Sequence, residues 1–306
     1  MARSTKSKGT KKQKRDIYQE VTDRVIRKLE EGTAPWRCEW NRYGAARNVV
    51  SGTVYSGINF FMLNFFPSFP VPYYLTYKQA QEMGGQVRKG AKSEKVYFFK
   101  RLYKDQDGRK VSDEVANELR GTGELTAIPY LKVFSIFNVQ DVEGIDFDIP
   151  ELAVHDHPLD ERCEQLIGKV ANPPQFVTED VNGAWYEPRR DVINLPPLGA
   201  FSSPEAYYST LFHELTHSTG HATRLNRETI AGKIDRKSAG YAREELTAEM
   251  GAAFLRGHAG INLPEVFDNS AAYIADWLKH LRNDKELVFS AAAQAQKAVD
   301  YLLGVS

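Results

Sequence analysis

The sequence is poor in cysteine: among its 306 residues only Cys38 and Cys163 occur, and neither belongs to a CxxC pair. They can form at most one disulfide, and such sparse use of cysteine favours a reducing, cytoplasmic compartment. Long hydrophobic runs are also missing, since no stretch of about 18 apolar residues occurs, and this excludes a transmembrane helix. The N-terminal residues are basic but lack the apolar segment of a secretory signal, so we expect no membrane partner.

Net charge is absent as well, because 40 Lys and Arg residues balance 40 Asp and Glu residues. The balance is a cancellation: residues 1–110 hold 23 basic and 10 acidic residues, a net of +13, and residues 111–306 hold 17 and 30, a net of −13. This asymmetry indicates a basic, nucleic-acid-binding part joined to a different, acidic part. Residues 1–15 carry seven positive charges and no negative one, which predicts a disordered tail that either contacts phosphates or only keeps the chain soluble.

The apolar content of 42% is too high for a disordered chain, and the length suggests about two domains. Residues 16–145 predict an α+β domain from their hydrophobic periodicity. Its expected elements are an amphipathic helix at 16–31, a helix at 58–66, a strand at 74–76 leading into a helix that ends near 83, and strands at 95–103 and 126–139. Residues 146–158, which are acidic and contain proline, predict a linker.

Residues 159–306 predict a mostly helical domain with a small sheet. Two short strands within residues 174–195 are expected to form a hairpin around Asn182-Gly183. Helices are expected at 159–170, 203–220 and 240–258, and one or two more within residues 270–303. The predicted fold class is therefore α+β, with two domains.

The helix predicted at 203–220 carries the motif His213-Glu214-Leu215-Thr216-His217, and Ser202 with Glu205 fits a capping box at its start. Two histidines at positions i and i+4 lie on one helical face and can bind one metal ion. Glu214 between them can take a proton from a water molecule at the ion without binding the metal itself. The motif predicts a catalytic site of the metalloprotease type, and the alternative is a helix with two surface histidines.

A third ligand is available in the helix predicted at 240–258, where Glu245 and Glu249 share one face. A carboxylate there would complete a His–His–Glu site of the thermolysin type. We expect Glu245 to bind the metal and Glu249 to orient one of the histidines without binding the metal itself. The reverse assignment is the alternative. Glu244 points to a different face and is expected to be solvated. Zinc is the expected ion, although the same ligands accept manganese.

Two further residues lie close to these motifs in the chain. Tyr241 is expected beside the metal ligands, where it can polarise a carbonyl group, or else in the core. His221 follows His217 by four residues, but Gly220 interrupts the helix between them. We therefore expect His221 to turn away from the metal rather than to bind it.

In combination, these motifs resemble the ArdC antirestriction family, whose relatives include the TraC-type primases of conjugative plasmids. The stretches that carry the resemblance are Pro35-Trp36, Tyr55-Ser56-Gly57-Ile58-Asn59, Leu75-Thr76-Tyr77-Lys78-Gln79-Ala80, residues 84–90, residues 213–221, residues 224–227 and residues 241–246. The resemblance implies an N-terminal domain that binds single-stranded DNA and a zincin-like metallopeptidase domain with one divalent metal. It also implies that the protein protects incoming plasmid DNA from host restriction and travels with the transferred strand.

Single-stranded DNA is held by basic groups together with aromatic side chains on which bases stack. The first domain interleaves both kinds of residue, and its loop Gln86–Ser93 is a glycine-containing basic turn suited to phosphates. The candidate DNA-binding residues are Trp36, Arg47, Tyr55, Tyr77, Lys78, Arg88, Lys89 and Lys92. About half of the aromatic residues in this region are expected in the core instead, Trp36 in particular.

The sequence thus favours an antirestriction protein of a conjugative plasmid that binds single-stranded DNA without sequence preference. One alternative is a cytoplasmic zinc metallopeptidase whose N-terminal domain selects protein substrates, with a host restriction enzyme or another protein as its partner. A second alternative is a non-enzymatic DNA-coating protein whose metal only stabilises the fold. Primase activity is less favoured, because no paired carboxylates suited to nucleotidyl transfer occur in the sequence.

Overall fold

The computed structural model describes residues 16–31, 34, 45–66, 69, 71–119, 125–149, 159–180, 183–201, 203–231, 238–261 and 271–305. The expected tail at 1–15, Trp36, Cys38 and most of the expected linker lie outside the described residues. Cys163 is buried. None of the described helices combines the length and the apolar character that crossing a membrane requires.

The basic part of the chain is an α+β structure, as predicted. Its elements are α1 (Ile17–Glu30), β1 (Arg47–Asn48), α2 (Gly57–Phe65), β2 (Tyr73–Thr76), α3 (Tyr77–Glu82), β3 (Gln86–Val87), β4 (Glu94–Lys104), β5 (Lys110–Val111), α4 (Asp113–Glu118), β6 (Thr126–Asn138) and β7 (Val142–Glu143). Helix α1 begins at Asp16, whose carboxylate accepts a hydrogen bond from the Gln19 amide at 3.2 Å. Helix α3 begins with a capping box formed by Thr76 and Gln79.

Five strands of this part form one sheet in the order β1-β2-β6-β4-β5, and β3 pairs with β7 separately. Strands β4 and β6 form a long antiparallel ribbon that runs from the pair Glu94–Ile136 to the pair Lys104–Thr126. Near Ile136 the ribbon is buried, and towards Lys104 it extends away from the core with mostly exposed side chains.

The acidic part is mostly helical and contains a three-stranded sheet. Its elements are α5 (Leu159–Ile167), β8 (Gln175–Val177), β9 (Trp185–Glu187), β10 (Val192–Asn194), α6 (Pro204–Ser218), α7 (Glu228–Ala231), α8 (Ala239–Ala259), α9 (Ala271–Asn283) and α10 (Leu287–Leu303). Helix α6 begins at Ser203, whose hydroxyl accepts from the Ala206 amide at 3.3 Å. The capping position is therefore Ser203, one residue later than the predicted Ser202.

The hairpin predicted around Asn182-Gly183 is wrong. Strand β10 lies between the other two strands, parallel to β8 and antiparallel to β9. The buried Asn194 side chain explains the arrangement, because it donates to the carbonyl oxygens of Asp180 and Gly183 at 2.8 and 2.6 Å and accepts from the Glu179 amide at 2.7 Å. These bonds hold Glu179, Asp180 and Gly183 beside β10, which lies between β8 and β9.

One hydrophobic core joins the two parts of the chain. Helices α1 and α2 contribute buried residues to the same cluster as α8 and α10, and the Phe60 and Phe254 rings lie 4.4 Å apart between centroids. Polar contacts cross the same boundary: the Thr22 hydroxyl donates to the Lys285 carbonyl at 2.8 Å, and the Gly57 amide donates to the Gln296 side chain at 3.0 Å. The predicted linker at 146–158 therefore connects two parts that pack against each other.

Candidate metal centre

Three side chains from two packed helices meet at one point. Helix α6 provides His213 and His217, whose Nε2 atoms lie 3.1 Å apart, and α8 provides Glu245, whose carboxylate oxygens lie 3.6 and 3.7 Å from those two nitrogens. All of these ligand atoms lie within 4.8 Å of one another. The structure thus puts Glu245 beside both histidines, as the sequence predicted.

The helices that carry these residues pack closely because of a glycine. A Cβ atom added at Gly251 of α8 would lie only 2.4 Å from Cγ2 of Thr216 on α6. Glycine at this position therefore allows the approach that brings Glu245 to the histidines.

The spacing of the ligand atoms fits one divalent ion. Bonds of about 2.0–2.2 Å in tetrahedral geometry separate neighbouring ligand atoms by about 3.3–3.5 Å. The measured separations of 3.1, 3.6 and 3.7 Å bracket this value. The three residues present are therefore suited to hold a single divalent metal.

Glu244 orients His217, which corrects the expectation that Glu244 is solvated. Its side chain is only 4% exposed, and its Oε1 lies 3.2 Å from His217 Nδ1. Arg227 donates from Nε to Glu244 Oε2 at 3.0 Å, and the Thr229 hydroxyl donates to the same oxygen. When Nδ1 of His217 donates to this carboxylate, the lone pair of Nε2 is left free for a metal.

The surrounding charges make the centre attractive to a cation. Burial alone would raise the pKa of Glu245, but its hydrogen bond with His213, the nearby His217 and the Tyr241 hydroxyl lower that pKa to about 2. Burial disfavours a charged His213, yet the adjacent carboxylates, foremost Glu245 and Glu214, raise the pKa of His213 to about 9. Such a concentration of negative charge stabilises a positive ion at the centre.

The buried Glu244 carboxylate is also kept in its charged form by hydrogen-bond donors. Burial would raise its pKa, but the hydrogen bonds from His217 and Arg227 lower that pKa to about 2. The sequence does not reveal this role, because the partner Arg227 lies in the loop before α7, seventeen positions upstream, and no spacing rule connects the two.

Three other predicted residues border the centre without joining the ligand set. Glu214 is 8% exposed and Glu249 is 9% exposed, and the carboxylates of both act on the His213 ring. Tyr241 is hydrogen-bonded to Glu245. Glu214 and Glu249 thus add negative charge near His213, and Tyr241 contacts the candidate ligand Glu245 directly.

His221 lies away from the centre, as the sequence predicted. Helix α6 ends at Ser218, and the His221 Nδ1 atom lies 2.8 Å from the Thr223 hydroxyl and 4.0 Å from Asp191 Oδ2. Close packing at Gly220, where a Cβ atom would lie 2.6 Å from Ile230, sets the direction of this turn. Among the described residues, the ligand group contains His213, His217 and Glu245 and leaves His221 out.

The candidate DNA-binding residues belong to the basic part, and its basic candidates are solvent-exposed except Arg47, which is half-buried. Lys78 forms an ion pair with Glu82 at 3.2 Å, and Arg88 forms one with Glu143 at 3.1 Å. Both pairs are exposed, so they are weak and leave the cations accessible to phosphates. Lys89 and Lys92 are exposed as well.

The aromatic candidates are less uniform. Tyr77 is 43% exposed. Tyr55 packs edge-on against Tyr74 at 6.5 Å between centroids and lines a cleft of about 600 Å³ between β4 and α10. The Arg47 guanidinium lies 5.4 Å from the ring centroid of Tyr73. Among the described candidates, Tyr77 thus presents the most open aromatic surface.

Family models match both parts of the chain. A model described as the N-terminal domain of anti-restriction factor ArdC matches residues 15–137, and a model described as a zincin-like metallopeptidase matches residues 161–294. Together with the metal centre, they define the class of protein: an ArdC-type N-terminal domain joined to a zincin-like metallopeptidase domain.

Whole-chain comparisons identify the family. The metal-free crystal structure of the antirestriction protein ArdC from plasmid R388 is 36% identical, with a TM-score of 0.71, and covers 94% of this chain and 96% of that one. The Mn(II)-bound structure of the same protein is also 36% identical, with a TM-score of 0.69 and coverage of 95% and 98%. The chain belongs to the ArdC antirestriction family.

Curated relatives are longer or uncharacterised. A DNA primase TraC of Escherichia coli is 33% identical over 301 residues, which make up 95% of this chain but only 27% of TraC. The chain is also 31% identical over 298 residues to the uncharacterised protein y4eC of Sinorhizobium fredii, covering 91% of it. The chain thus spans about a quarter of the length of the first of these relatives.

Proposed function

We propose that this chain is an antirestriction protein of a conjugative plasmid, which binds single-stranded DNA without sequence preference and protects incoming DNA from host restriction. The observation that carries the proposal is the full-length similarity to ArdC of R388, which covers 96% of that chain. The opposite charges of the two halves support it, because the positive half is the one matched to the ArdC N-terminal domain. The protein acts in the cytoplasm and accompanies the transferred strand into the recipient cell.

The metal centre holds one divalent ion through His213, His217 and Glu245. The Mn(II)-bound relative supports this assignment, and zinc is the ion expected for a zincin-like site. A divalent ion at this point would supply Lewis acidity, which lowers the pKa of water and polarises a carbonyl group.

The remaining residues equip the centre for peptide hydrolysis. Glu214 accepts the proton of the attacking water at its carboxylate and passes it to the departing amide nitrogen. Glu244 fixes the tautomer and the ring orientation of His217 through the 3.2 Å contact at Nδ1. Tyr241 holds the Glu245 carboxylate in place through their hydrogen bond. Glu249 supports the His213 side of the centre by its charge.

Single-stranded DNA is bound by the basic part. The exposed cations Lys78, Arg88, Lys89 and Lys92 contact phosphates, and Tyr77 offers an exposed ring to a base. Neutralising phosphates releases counterions, so the affinity must fall steeply as salt rises.

The test is binding of the full-length chain to a labelled oligothymidylate, measured by fluorescence anisotropy over a series of salt concentrations. We expect tight binding at low salt and a linear fall of the logarithm of affinity with the logarithm of salt. Failure to bind at low salt would contradict the proposal and favour a metallopeptidase whose N-terminal domain selects protein substrates.

A further inference from the structure

The β4–β6 ribbon carries a face on which aromatic and basic side chains alternate. The pairing register puts Phe98 opposite Lys132 and Lys100 opposite Tyr130, and residues directly opposite each other point to the same face. Phe134 lies on this face too, because it is two positions from Lys132 on the same strand. We call these five residues the ribbon platform. On this face, aromatic and basic side chains alternate along each strand, and each aromatic residue of the two cross-strand pairs lies opposite a lysine.

Two of the three rings of the ribbon platform are exposed to solvent. Phe98 is 60% exposed and Tyr130 is 45% exposed. The Phe98 and Phe134 rings meet edge to face at 5.9 Å, and Lys132 Nζ lies 4.4 Å from the Phe134 ring centroid. Exposed clusters of large apolar side chains on a soluble protein mark binding sites.

The opposite face of the same ribbon serves the fold instead. Phe99 is next to Phe98 in the chain but points the other way, and its ring packs against Phe289 of α10 at 5.9 Å and Tyr18 of α1 at 6.4 Å. Leu131 and Val133 on that face pack against the main core. The apolar residues of that face are thus explained by packing. On the ribbon platform, Phe134 packs against a small core cluster, whereas Phe98 and Tyr130 are exposed.

The charged side chains of the ribbon are predominantly positive, which favours an anionic ligand. Between residues 95 and 104 and between residues 126 and 138, the strands contain cations but no Asp or Glu. At the ends of the ribbon Glu94 pairs with Arg24 at 3.1 Å and Asp107 with Arg109 at 3.6 Å, and the Asp105 carboxylate accepts from the Arg109 amide at 2.8 Å. A second copy of this chain that docked through its own ribbon would bring the same positive face and be repelled, whereas a polyanion with flat bases complements both kinds of side chain.

The geometry points to the ribbon platform as a binding site for single-stranded DNA, in which bases stack on Phe98 and Tyr130 and phosphates contact Lys100 and Lys132. This inference rests on the proposed function and names the surface that performs it. The alternation is the one that sequence-tolerant binders of single strands use. None of its five residues belongs to the set predicted from the sequence.

The experiment compares full-length variants for binding to a labelled oligothymidylate at several salt concentrations. The aromatic pair is removed in Phe98→Ala/Tyr130→Ala, and the cationic pair in Lys100→Ala/Lys132→Ala. The controls lie on the acidic part: Phe176→Ala, at a 42% exposed ring of β8, for the aromatic variant, and Lys169→Ala/Lys279→Ala, at two exposed lysines, for the cationic variant. Equal melting temperatures and equal metal content establish that every variant is folded.

The aromatic variant should bind about tenfold more weakly or worse, with the salt slope of the unchanged protein. The cationic variant should lower that slope by about 1.4, which corresponds to two phosphates on a single strand. Both controls should bind like the unchanged protein. As a readout that needs no variant, crosslinking with a 5-bromodeoxyuridine oligonucleotide should label peptides containing Phe98 or Tyr130.

The outcomes separate this inference from the proposed function. If the unchanged protein does not bind single strands at about 50 mM salt, both fail. If it binds but both platform variants match the controls, the ribbon platform is overturned and the proposed function stands. Crosslinks confined to Tyr55 or Tyr77 would overturn it too. The ribbon platform would also be overturned as a DNA site if its variants changed the oligomeric state and left DNA binding unchanged. That result would identify it as a self-association surface.

Discussion

The metal centre and the ribbon platform show two different ways of positioning functional side chains. At the metal centre each residue has fixed partners: His217 contacts Glu244, and Glu244 in turn contacts Arg227 and Thr229. His217, Glu244 and Arg227 are buried. On the ribbon platform the backbone alternation of two strands orders the side chains, while the side chains themselves stay in solvent. Function at the metal centre therefore depends on each individual residue, whereas binding on the ribbon platform depends on the combined contributions of its five residues.

The largest expected effect is at the metal ligands. The double variant His213→Ala/His217→Ala removes both nitrogen ligands and should abolish stoichiometric binding of zinc or manganese, measured by elemental analysis after gel filtration. Its affinity for single-stranded DNA should be unchanged, because the cationic surface lies on other elements.

Glu214→Gln is the matched control for that variant. It should keep the metal and lose any peptide hydrolysis, because Glu214 acts on the proton and not on the ion. A His213→Ala/His217→Ala protein that retains one metal per chain, or a Glu214→Gln protein that loses it, would contradict the roles assigned at the centre.

The next effect concerns acid stability of the metal-free protein. The folded state lowers the pKa of Glu244 to about 2, from an ordinary value of 4.5. Its charged form therefore stabilises the fold above pH 4.5, and this contribution of about 3 kcal/mol is lost as the pH falls from 4.5 to 2. Urea unfolding across this range should show a correspondingly flatter pH dependence for Glu244→Gln. Equal slopes for Glu244→Gln and the unchanged protein would show that Glu244 is not held charged.

A smaller effect tests the close packing of α6 against α8. Gly251→Ala should lower the free energy of unfolding by about 1–3 kcal/mol, since the new Cβ atom would lie 2.4 Å from Thr216. The same substitution at Gly240, in the first turn of α8, meets only ordinary contacts at 3.6 Å and should stabilise the helix by up to about 1 kcal/mol. Urea unfolding measures both, and two changes of the same sign would argue against this packing.

The smallest effect is expected for a single surface cation. Lys78 is 84% exposed on its side chain, and its pair with Glu82 adds little stability. Lys78→Ala should therefore leave the melting temperature unchanged and lower the salt slope of DNA binding by about 0.7, the value for one phosphate. Lys279→Ala in the acidic part is the control. Complete loss of DNA binding in Lys78→Ala would mean that the surface acts through single residues, as the metal centre does.

The sequence predicted the helices and strands that are determined by neighbouring residues in the chain. The spacing of His213 and His217 identified the metal helix, and the sheet strands at 73–76, 94–104 and 126–138 followed from apolar runs. The glutamates of α8 were harder to separate, because that helix is buried on nearly every side and shows no polar face. Glu244 was misjudged for this reason.

Long-range contacts account for the other differences. The strand order β8-β10-β9 depends on the side-chain bonds of Asn194, which no turn signal reveals. The ribbon platform was missed because residues 95–103 are as apolar as a buried strand, and only the exposure of Phe98 shows otherwise. Sequence patterns describe which face of a strand a residue occupies, but not which face the rest of the chain covers.

The most direct test of antirestriction is survival of unmodified plasmid DNA that enters a restricting host. Cells that express this chain should recover more transconjugants than cells with an empty vector, and the difference should vanish in a host without the restriction system. Equal recovery with the chain and with the empty vector in the restricting host would contradict the proposed function.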